Sequence, residues 1–443
     1  MSRKQIRINT DKEHSRPPNE PEARLTYKNT EGYADPTCFY ALCNVMRDEM
    51  RGKRMNEKDR NTSTKPRLVT AEAVRAGHPD KFCDQFADML LDEHLKGDPG
   101  TRAAIEVMAT DAKILVAGEV TSKASVDVEP ILKRLCAKVG YTMEELSTGG
   151  ELALEVRLNR QSPDIAQAVV DGEDLGAGDQ GIMVGYATDE TPERMPLPVV
   201  LAQGICRRLD ESRIPWLKPD GKAQVTVLYQ DDVPVAVTAI VVSVQHDKDV
   251  PIEIIRKMVK EETICKVIPE KFLRPGTRLL INPSGRFVLG GPAADTGLTG
   301  RKLAVDAYGP VARIGGGALS GKDPTKVDRT GAYAARWVAR SLVDAGLAKC
   351  CEVQIAYAIG RAMPVSVDVD TFGTGIVPDG VLRKAIRRTF DLRPSALIRD
   401  LKLRRPIYAP LAAYGHFGRA DTKAPWEETE ANETALLIAT LCC

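Results

Sequence analysis

The sequence predicts an α/β protein of three similar domains, and three observations point to it. A unit made of a β-branched strand, a polar loop and an amphipathic helix occurs at Lys113–Val120 with Val126–Val139, at Val235–Gln245 with Ile252–Ile268, and at Val365–Asp370 with Pro378–Phe390. The strand starts lie 122 and 130 residues apart (235 − 113 and 365 − 235), far longer than a solenoid repeat. The chain has 443 residues, and at roughly 150 residues per domain that length suits three. With 43 % hydrophobic and 28 % charged residues, the composition is that of a globular protein with a real core.

Residues 1–66 are set apart. Met1–Asn29 and Arg51–Lys65 are polar and poor in aliphatics, so they bury too little apolar area to offset chain entropy, and a poorly ordered extension is expected. Between them Cys38–Met46 has the composition of one short helix. The domains are expected at 67–165, 176–289 and 290–430, with a tail at 431–443. In the first, Pro79 and Asp80 suit the opening turn of a helix whose buried stripe is Phe82, Phe86, Met89 and Leu90. In the second, Gln224–Tyr229 and Val235–Val244 alternate and read as a hairpin with one face on a core. In the third, Lys326–Ala348 reads as one long helix carrying Val338, Leu342 and Val343 on a stripe, with Gly346 near its end.

Charge and composition exclude several classes. A formal net charge of +1 offers no global field for nucleic acid or an anionic membrane. The longest apolar stretch, Val233–Val244, is broken by Pro234 and too short for a bilayer. The N-terminus has no apolar signal region, and Asp11, Glu13, Glu20 and Glu22 interrupt its basic residues. Ten scattered cysteines without a Cys-x-x-Cys read as reduced thiols of a cytoplasmic protein.

Three segments carry candidate chemistry. Gly77-His-Pro-Asp-Lys81 opens a helix, where free N–H groups, His78 and Asp80 can meet a phosphate or its metal. Gly315–Asp323 (GGGALSGKD) is a glycine-rich loop ending in a lysine. Asp323 stands where a P-loop needs Ser or Thr, and no strand pattern precedes it, so a Walker A site is rejected while phosphate binding is kept. Around it gather Arg301, Lys302, Lys322 and Lys326, with Asp295 and Asp328 among them. Gly176-Ala-Gly-Asp179-Gln-Gly181 suggests backbone held close to a ligand.

Together these segments resemble the S-adenosylmethionine synthetase family. GAGDQGIMVGY (Gly176–Tyr186) matches one family signature fully, and GGGALSGKD matches another at all but one position. Further similar stretches are GHPDK at Gly77, QSPDI at Gln161, PWLKPDGKAQV at Pro215, INPSGRFVLGGP at Ile281, GLTGRK at Gly297, KVDRTGAYAARWVA at Lys326 and AAYGHFGR at Ala412. The resemblance runs from Arg67 to Trp426 with order and spacing kept. It implies three α/β domains in a pseudo-threefold arrangement, and transfer of the adenosyl group of ATP to the sulfur of L-methionine. The triphosphate is then cleaved to diphosphate and phosphate.

The resemblance also implies two magnesium ions and a potassium ion per site, lying between the subunits of a homodimer or tetramer. It implies Asp80 and Asp328 as magnesium ligands and Glu106 as the potassium ligand. His78, Lys222, Arg301, Lys302 and Lys322 then contact the triphosphate, and Glu119, Gln161 and Lys326 hold the methionine. Asp179, Asp220 and Asp295 surround the nucleoside and methionine, with Phe287 against the adenine. The chain departs from the family pattern in places. Ile314 and Leu319 replace the usual histidine and phenylalanine of the glycine loop, and Ala307 and Pro310 a threonine and a glycine. Arg75-Ala76 replaces small and acidic residues before GHPDK, and Ala109–Ala112 replaces Lys-Thr-Gly-Met after Glu106. The loop Ala166–Leu175 is shorter than usual. The alternative reading is a catalytically weak paralogue serving as a regulatory subunit. Retention of Asp80, Lys322, Lys326 and Asp328 argues against it.

Overall fold

A computed structural model of the chain describes residues 66–160, 175–212, 214–428 and 437. The N-terminal extension with its Cys38–Met46 helix, the stretch containing Gln161 and, apart from Leu437, the tail from 431 lie outside the described residues.

Eleven described strands form three sheets. In chain order the strands are β1 (Arg67–Val74), β2 (Arg102–Thr110), β3 (Lys113–Thr121), β4 (Ala153–Asn159), β5 (Gly181–Thr188), β6 (Leu217–Gln230), β7 (Val233–His246), β8 (Leu273–Ile281), β9 (Gly297–Leu298), β10 (Cys350–Tyr357) and β11 (Ser366–Asp370). The sheet orders are β1-β6-β7-β8, β11-β10-β5 and β4-β3-β2-β9. The sequence units are therefore interlaced. β1 leaves the first unit to pair antiparallel with β6 of the second, and β5 leaves the second to pair with β10 of the third. β9 leaves the third to pair with β2 of the first. Each unit donates its opening strand to another sheet, a cyclic exchange that relates the three units as a pseudo-threefold fold does.

The described α-helices of seven residues or more are α1 (Pro79–Gly97), α2 (Val128–Val139), α3 (Leu197–Glu211), α4 (Ile252–Val259), α5 (Val327–Asp344), α6 (Asp379–Thr389) and α7 (Pro394–Asp400). Sequence dictates the start of α1. His78 is extended (φ −60°, ψ 139°) and its Nδ1 accepts the Asp80 N–H at 3.2 Å, while Pro79 takes the first turn, where no N–H is needed. Phe82, Phe86 and Leu90 are buried with Ala103, Ile105, Val107 and Ala109 of β2, and Met89 is partly buried. Burial stabilises by about 1.5–3 kcal/mol for each large apolar side chain, so Phe86→Ala would cost about 3–5 kcal/mol. The expected helix at Ile252–Ile268 begins as α4 and passes through a π-helical turn at Lys260–Ile264. The expected helix at Lys326–Ala348 is shorter. It closes at Asp344, because the chain turns through Gly346 at φ +69°, a left-handed ending that glycine adopts without strain. α5 is the central helix, and its Tyr333 stacks on Trp426 at 3.6 Å between ring centroids.

Candidate active site

One edge of β2 organises the site. β3 covers the other edge, and this one is lined in turn by β9 and the glycine-rich loop. Leu298 pairs with Met108 and the Thr299 N–H donates to the Val107 carbonyl at 3.0 Å. Further along, Lys322 pairs with Ala104, Ile105 N–H donates to the Gly321 carbonyl at 2.9 Å, and Asp323 N–H donates to the Ala103 carbonyl at 3.0 Å. Two segments distant in sequence thus meet one strand four residues apart, about 13 Å at the usual rise.

At the first position, the Asp80 carboxylate accepts the Leu298 N–H at 3.0 Å and pairs with Lys302 Nζ at 2.5 Å and Arg301 Nη1 at 3.8 Å. Burial opposes its ionisation, but the Lys302 ammonium and the Leu298 N–H outweigh that and hold the carboxyl below its ordinary value. Burial, then Lys302 and Lys222, lowers the His78 imidazole to about 3. Its Nδ1 is occupied as an acceptor, so the neutral ring carries its proton on Nε2. Lys222, on β6 opposite Val74, acts on the His78 ring, so three cations gather around the Asp80–His78 pair.

At the second position, Lys322 is ion-paired with Asp328, and Lys326 Nζ stands 3.7 Å from the buried Asp323 carboxylate. Glu119, Asp179, Lys322, Lys326 and Asp328 line one cavity of about 420 Å³ with Arg102 and Arg160. Glycine is required at two places. A Cβ on Gly317 would stand 2.0 Å from the Asp328 carboxyl carbon, and one on Gly321 (φ +81°) 1.9 Å from the Ile105 carbonyl oxygen. Leu319 is buried, whereas Ile314 is 40 % exposed at the rim of a small cavity of about 30 Å³ beside it.

The remaining expected residues are spread around these two groups. Asp220 is buried beside Pro219, whose atoms fill the space a side chain would need at Gly77. Its carboxylate accepts N–H groups of Gly221 at 2.7 Å and Gly291 at 2.9 Å, and burial pushes its carboxyl above the ordinary value. Phe287 is fixed by a reciprocal pair with His246: its N–H donates to Nε2 at 3.0 Å and its carbonyl accepts the His246 N–H at 2.9 Å. Asp295 is exposed two residues before β9. Glu106 lies on the partly open face of β2 with its carboxyl raised, chiefly by burial. Gln161 lies outside the described residues. Among the described residues there is no group of three or more metal-ligating His, Cys, Asp or Glu side chains.

Sequence reasoning missed a buried charged layer under the site: Lys81, Asp84, Asp88, Asp306 and Arg329. Its signal was available, since Asp80, Asp84, Asp88 and Asp92 recur every four residues on α1. Three interlaced α/β units that set a cation-rich group beside a charge-balanced cavity define a protein that receives a polyanion next to a second, zwitterionic ligand. Residues 66–163, 174–287 and 289–428 match the family descriptions "S-adenosylmethionine synthetase" N-terminal, central and C-terminal domain, respectively. The chain is 51 % identical over 377 residues to the S-adenosylmethionine synthase of Clostridium tetani (strain Massachusetts / E88), covering 82 % of this chain and 96 % of that protein. It is 50 % identical over 382 residues to that of Desulforudis audaxviator (strain MP104C), covering 83 % and 97 %. The chain belongs to the S-adenosylmethionine synthetase family.

Proposed function

We propose that this chain is an S-adenosylmethionine synthetase and that its two charged groups divide the substrates between them. The observation that carries the reading is their placement on one strand edge: three cations around the Asp80–His78 pair, and four cations facing three carboxylates around the second cavity. The first suits a triphosphate, and the second suits the ammonium and carboxylate of methionine, with its Lys322–Asp328 pair shared with the triphosphate and its magnesium. The methionine sulfur attacks C5′ of ATP, the C5′–oxygen bond breaks, and the triphosphate leaves with the bonding pair. A thioether is already a nucleophile, so the chain needs alignment and stabilisation of the leaving polyanion rather than a general base. Lys222, Arg301, Lys302 and Lys322 supply the positive charge, and His78 donates from neutral Nε2. Glu119, Gln161 and Lys326 are the methionine contacts, with Asp179 at the same cavity. Asp220, Phe287 and Asp295 flank the adenosyl moiety.

Magnesium fits this donor set. A hard cation that keeps waters and takes phosphate oxygens needs only one or two carboxylates, and Asp80 and Asp328 each present one, now neutralised by a lysine. When bound, the two ions neutralise charge on the leaving triphosphate. Glu106 is the carboxylate offered to potassium. The face carrying Glu106 and Glu119 is open in a single chain, and Ile182 and Ile314 stand exposed near Asp328, which supports a site completed by a second copy in a dimer or tetramer. No helix among the described residues is long and apolar enough to cross a membrane, and six described cysteines are free, in keeping with a cytoplasmic enzyme. Incubation of the purified chain with ATP, methionine, magnesium and potassium should yield S-adenosylmethionine, diphosphate and phosphate by mass spectrometry and phosphorus NMR. Conversion of ATP to ADP or AMP without the sulfonium product would overturn the reading.

A further inference from the structure

Four carboxylates in line on a helix are an unfavourable arrangement. Like charges at i, i+4 repel, and Asp84 and Asp88 are fully buried, where ionised groups persist only if paired and hydrogen-bonded. Each of the four is nevertheless put to use, and in the same way: it accepts a main-chain N–H from the third sequence unit. Asp80 takes Leu298 N–H at 3.0 Å, Asp84 takes Gly300 N–H at 2.9 Å, Asp88 takes Gly321 N–H at 2.8 Å, and Asp92 takes the N–H groups of Tyr408 at 3.1 Å and Ala409 at 2.8 Å. The two middle partners are the important ones. Gly300 immediately precedes Arg301 and Lys302, and Gly321 immediately precedes Lys322.

We propose that Asp84 and Asp88 are positioning residues that set the spacing between the two segments carrying the triphosphate cations, with α1 as the ruler. One helical turn separates them, about 6 Å for four residues. Both are locked. Lys81 Nζ donates to Asp84 at 2.8 Å and is also paired with Asp306. Arg329 Nη2 donates to Asp88 at 2.5 Å, and its Nη1 donates to the Lys322 carbonyl at 2.8 Å. The Gly321–Lys322 stretch is therefore held at three points: Gly321 N–H by Asp88, Gly321 carbonyl by Ile105 N–H, and Lys322 carbonyl by Arg329. Lys322 and Lys302 are thus referenced to one rigid element rather than to two independent loops. Asp92 belongs to the same row with a similar bonding pattern, but its partners Tyr408 and Ala409 precede none of those cations in the chain and touch the network only where the Tyr408 ring lies under Arg329, 4.3 Å away, so it is a control for the merely structural part of the effect.

The inference rests on the triphosphate roles proposed for Arg301, Lys302 and Lys322, and its test separates the two. Asp84→Ala, Asp84→Asn and Asp92→Ala are compared with wild type in the full chain, at a temperature where thermal melts show each fully folded. Magnesium tripolyphosphate affinity is measured by calorimetry and turnover by product analysis. Asp84→Ala should weaken tripolyphosphate binding about 10-fold or more, raise KM for ATP, and leave KM for methionine unchanged. Asp84→Asn, whose amide oxygen still accepts the Gly300 N–H, should recover most of the loss. Asp92→Ala should lower the melting temperature and change neither affinity nor KM. If Asp84→Ala does not fold, Asp84→Glu keeps charge and acceptor while lengthening the arm by one methylene, and should show the same selective loss. Wild-type tripolyphosphate affinity in folded Asp84→Ala or Asp84→Glu, or an equal loss in Asp92→Ala, overturns the ruler. Failure of wild type to make S-adenosylmethionine while the tripolyphosphate pattern holds overturns the functional reading instead.

Discussion

The two aspartate–lysine pairs on the β2 edge are chemically alike and physically different. Asp80 is 4 % exposed and Lys302 17 % exposed, at a helix N-terminus with His78, Lys222 and Arg301 close by. Lys322 and Asp328 are each 18 % exposed and open on a cavity of about 420 Å³ that also holds Glu119, Asp179 and Lys326. An excess of cations beside a helix N-terminus favours a polyanion, whereas a near-balance of charges favours a ligand carrying both signs. The same residue pair therefore acquires its surroundings from its neighbours: substitutions of the two aspartates should act alike, while substitutions of Lys302 and of Glu119 should separate along the two substrates.

The largest effect should come from the carboxylates. Asp80→Asn and Asp328→Asn should each slow adenosyl transfer by at least ~100-fold, about 2.7 kcal/mol, with saturating magnesium. Near-normal turnover in either variant would remove that position from the metal site. A sharper separation comes next. Lys302→Met should raise KM for ATP ~10- to 150-fold, the loss of one charge-assisted hydrogen bond at about 1.5–3 kcal/mol, and leave KM for methionine in place. Glu119→Gln should do the reverse by ~10-fold, and steady-state kinetics in which both constants move together would erase the distinction.

A third test uses protons, which only the first group should release or take up on binding. Its imidazole lies at about 3 in the free protein because of burial and then Lys302 and Lys222. A bound triphosphate neutralises those lysines but leaves the burial, so it raises the value only part of the way: ATP binding in acid buffer should take up protons while at pH 7 the ring stays neutral, measured by calorimetry in buffers of different ionisation enthalpy. His78→Asn should abolish the uptake. The folded value lies below that of a free imidazole. The stability held by the neutral ring is therefore complete above about pH 6.5 and is lost as pH falls toward about 3, and His78→Asn should flatten acid unfolding in that window. The smallest effect belongs to the altered loop. Ile314 cannot donate where the family's histidine can, and Leu319 is buried beside a cavity of about 30 Å³. Triphosphate cleavage should therefore lag adenosyl transfer, and Ile314→His with Leu319→Phe should reduce the lag by ~10-fold or less. A single-turnover course in which free or bound triphosphate never accumulates makes both substitutions neutral packing changes.

The groups being compared were unequally visible in the sequence. The start of α1 was legible because Pro79 and Asp80 are local signals, and the hairpin β6–β7 because alternation is local. The glycine loop was legible because few functions other than close backbone approach require three consecutive glycines, and Gly317 against Asp328 shows the approach. The exchange of opening strands was not legible. Arg67–Val74 contains nothing that says its partner is β6, since pairing across more than 150 residues is decided by the assembled core. For the same reason the second cavity appeared in sequence as scattered charges: Glu119 and Asp179 meet Lys322 only after sheet β4-β3-β2-β9 has formed. The row of aspartates on α1 was readable as a period of four, but its purpose was not, because the donors it accepts from across the fold are main-chain N–H groups, which no side-chain pattern marks.

The strand exchange also has a consequence for how the chain is made. Arg67 pairs with Tyr229 and Gly181 with Tyr357, separations of 162 and 176 residues (229 − 67 and 357 − 181). At a synthesis rate of about 5–20 residues per second, β1 leaves the ribosome roughly 10–30 s before its partner exists, and β5 waits as long for β10. Neither the first nor the second unit can complete its sheet relations until its successor has been made, so emergence in order does not give folding in order. A nascent chain stalled before Gln230 should present an unpaired β1 edge to chaperones, and ribosome-bound truncations should become protease-resistant in one late step rather than unit by unit.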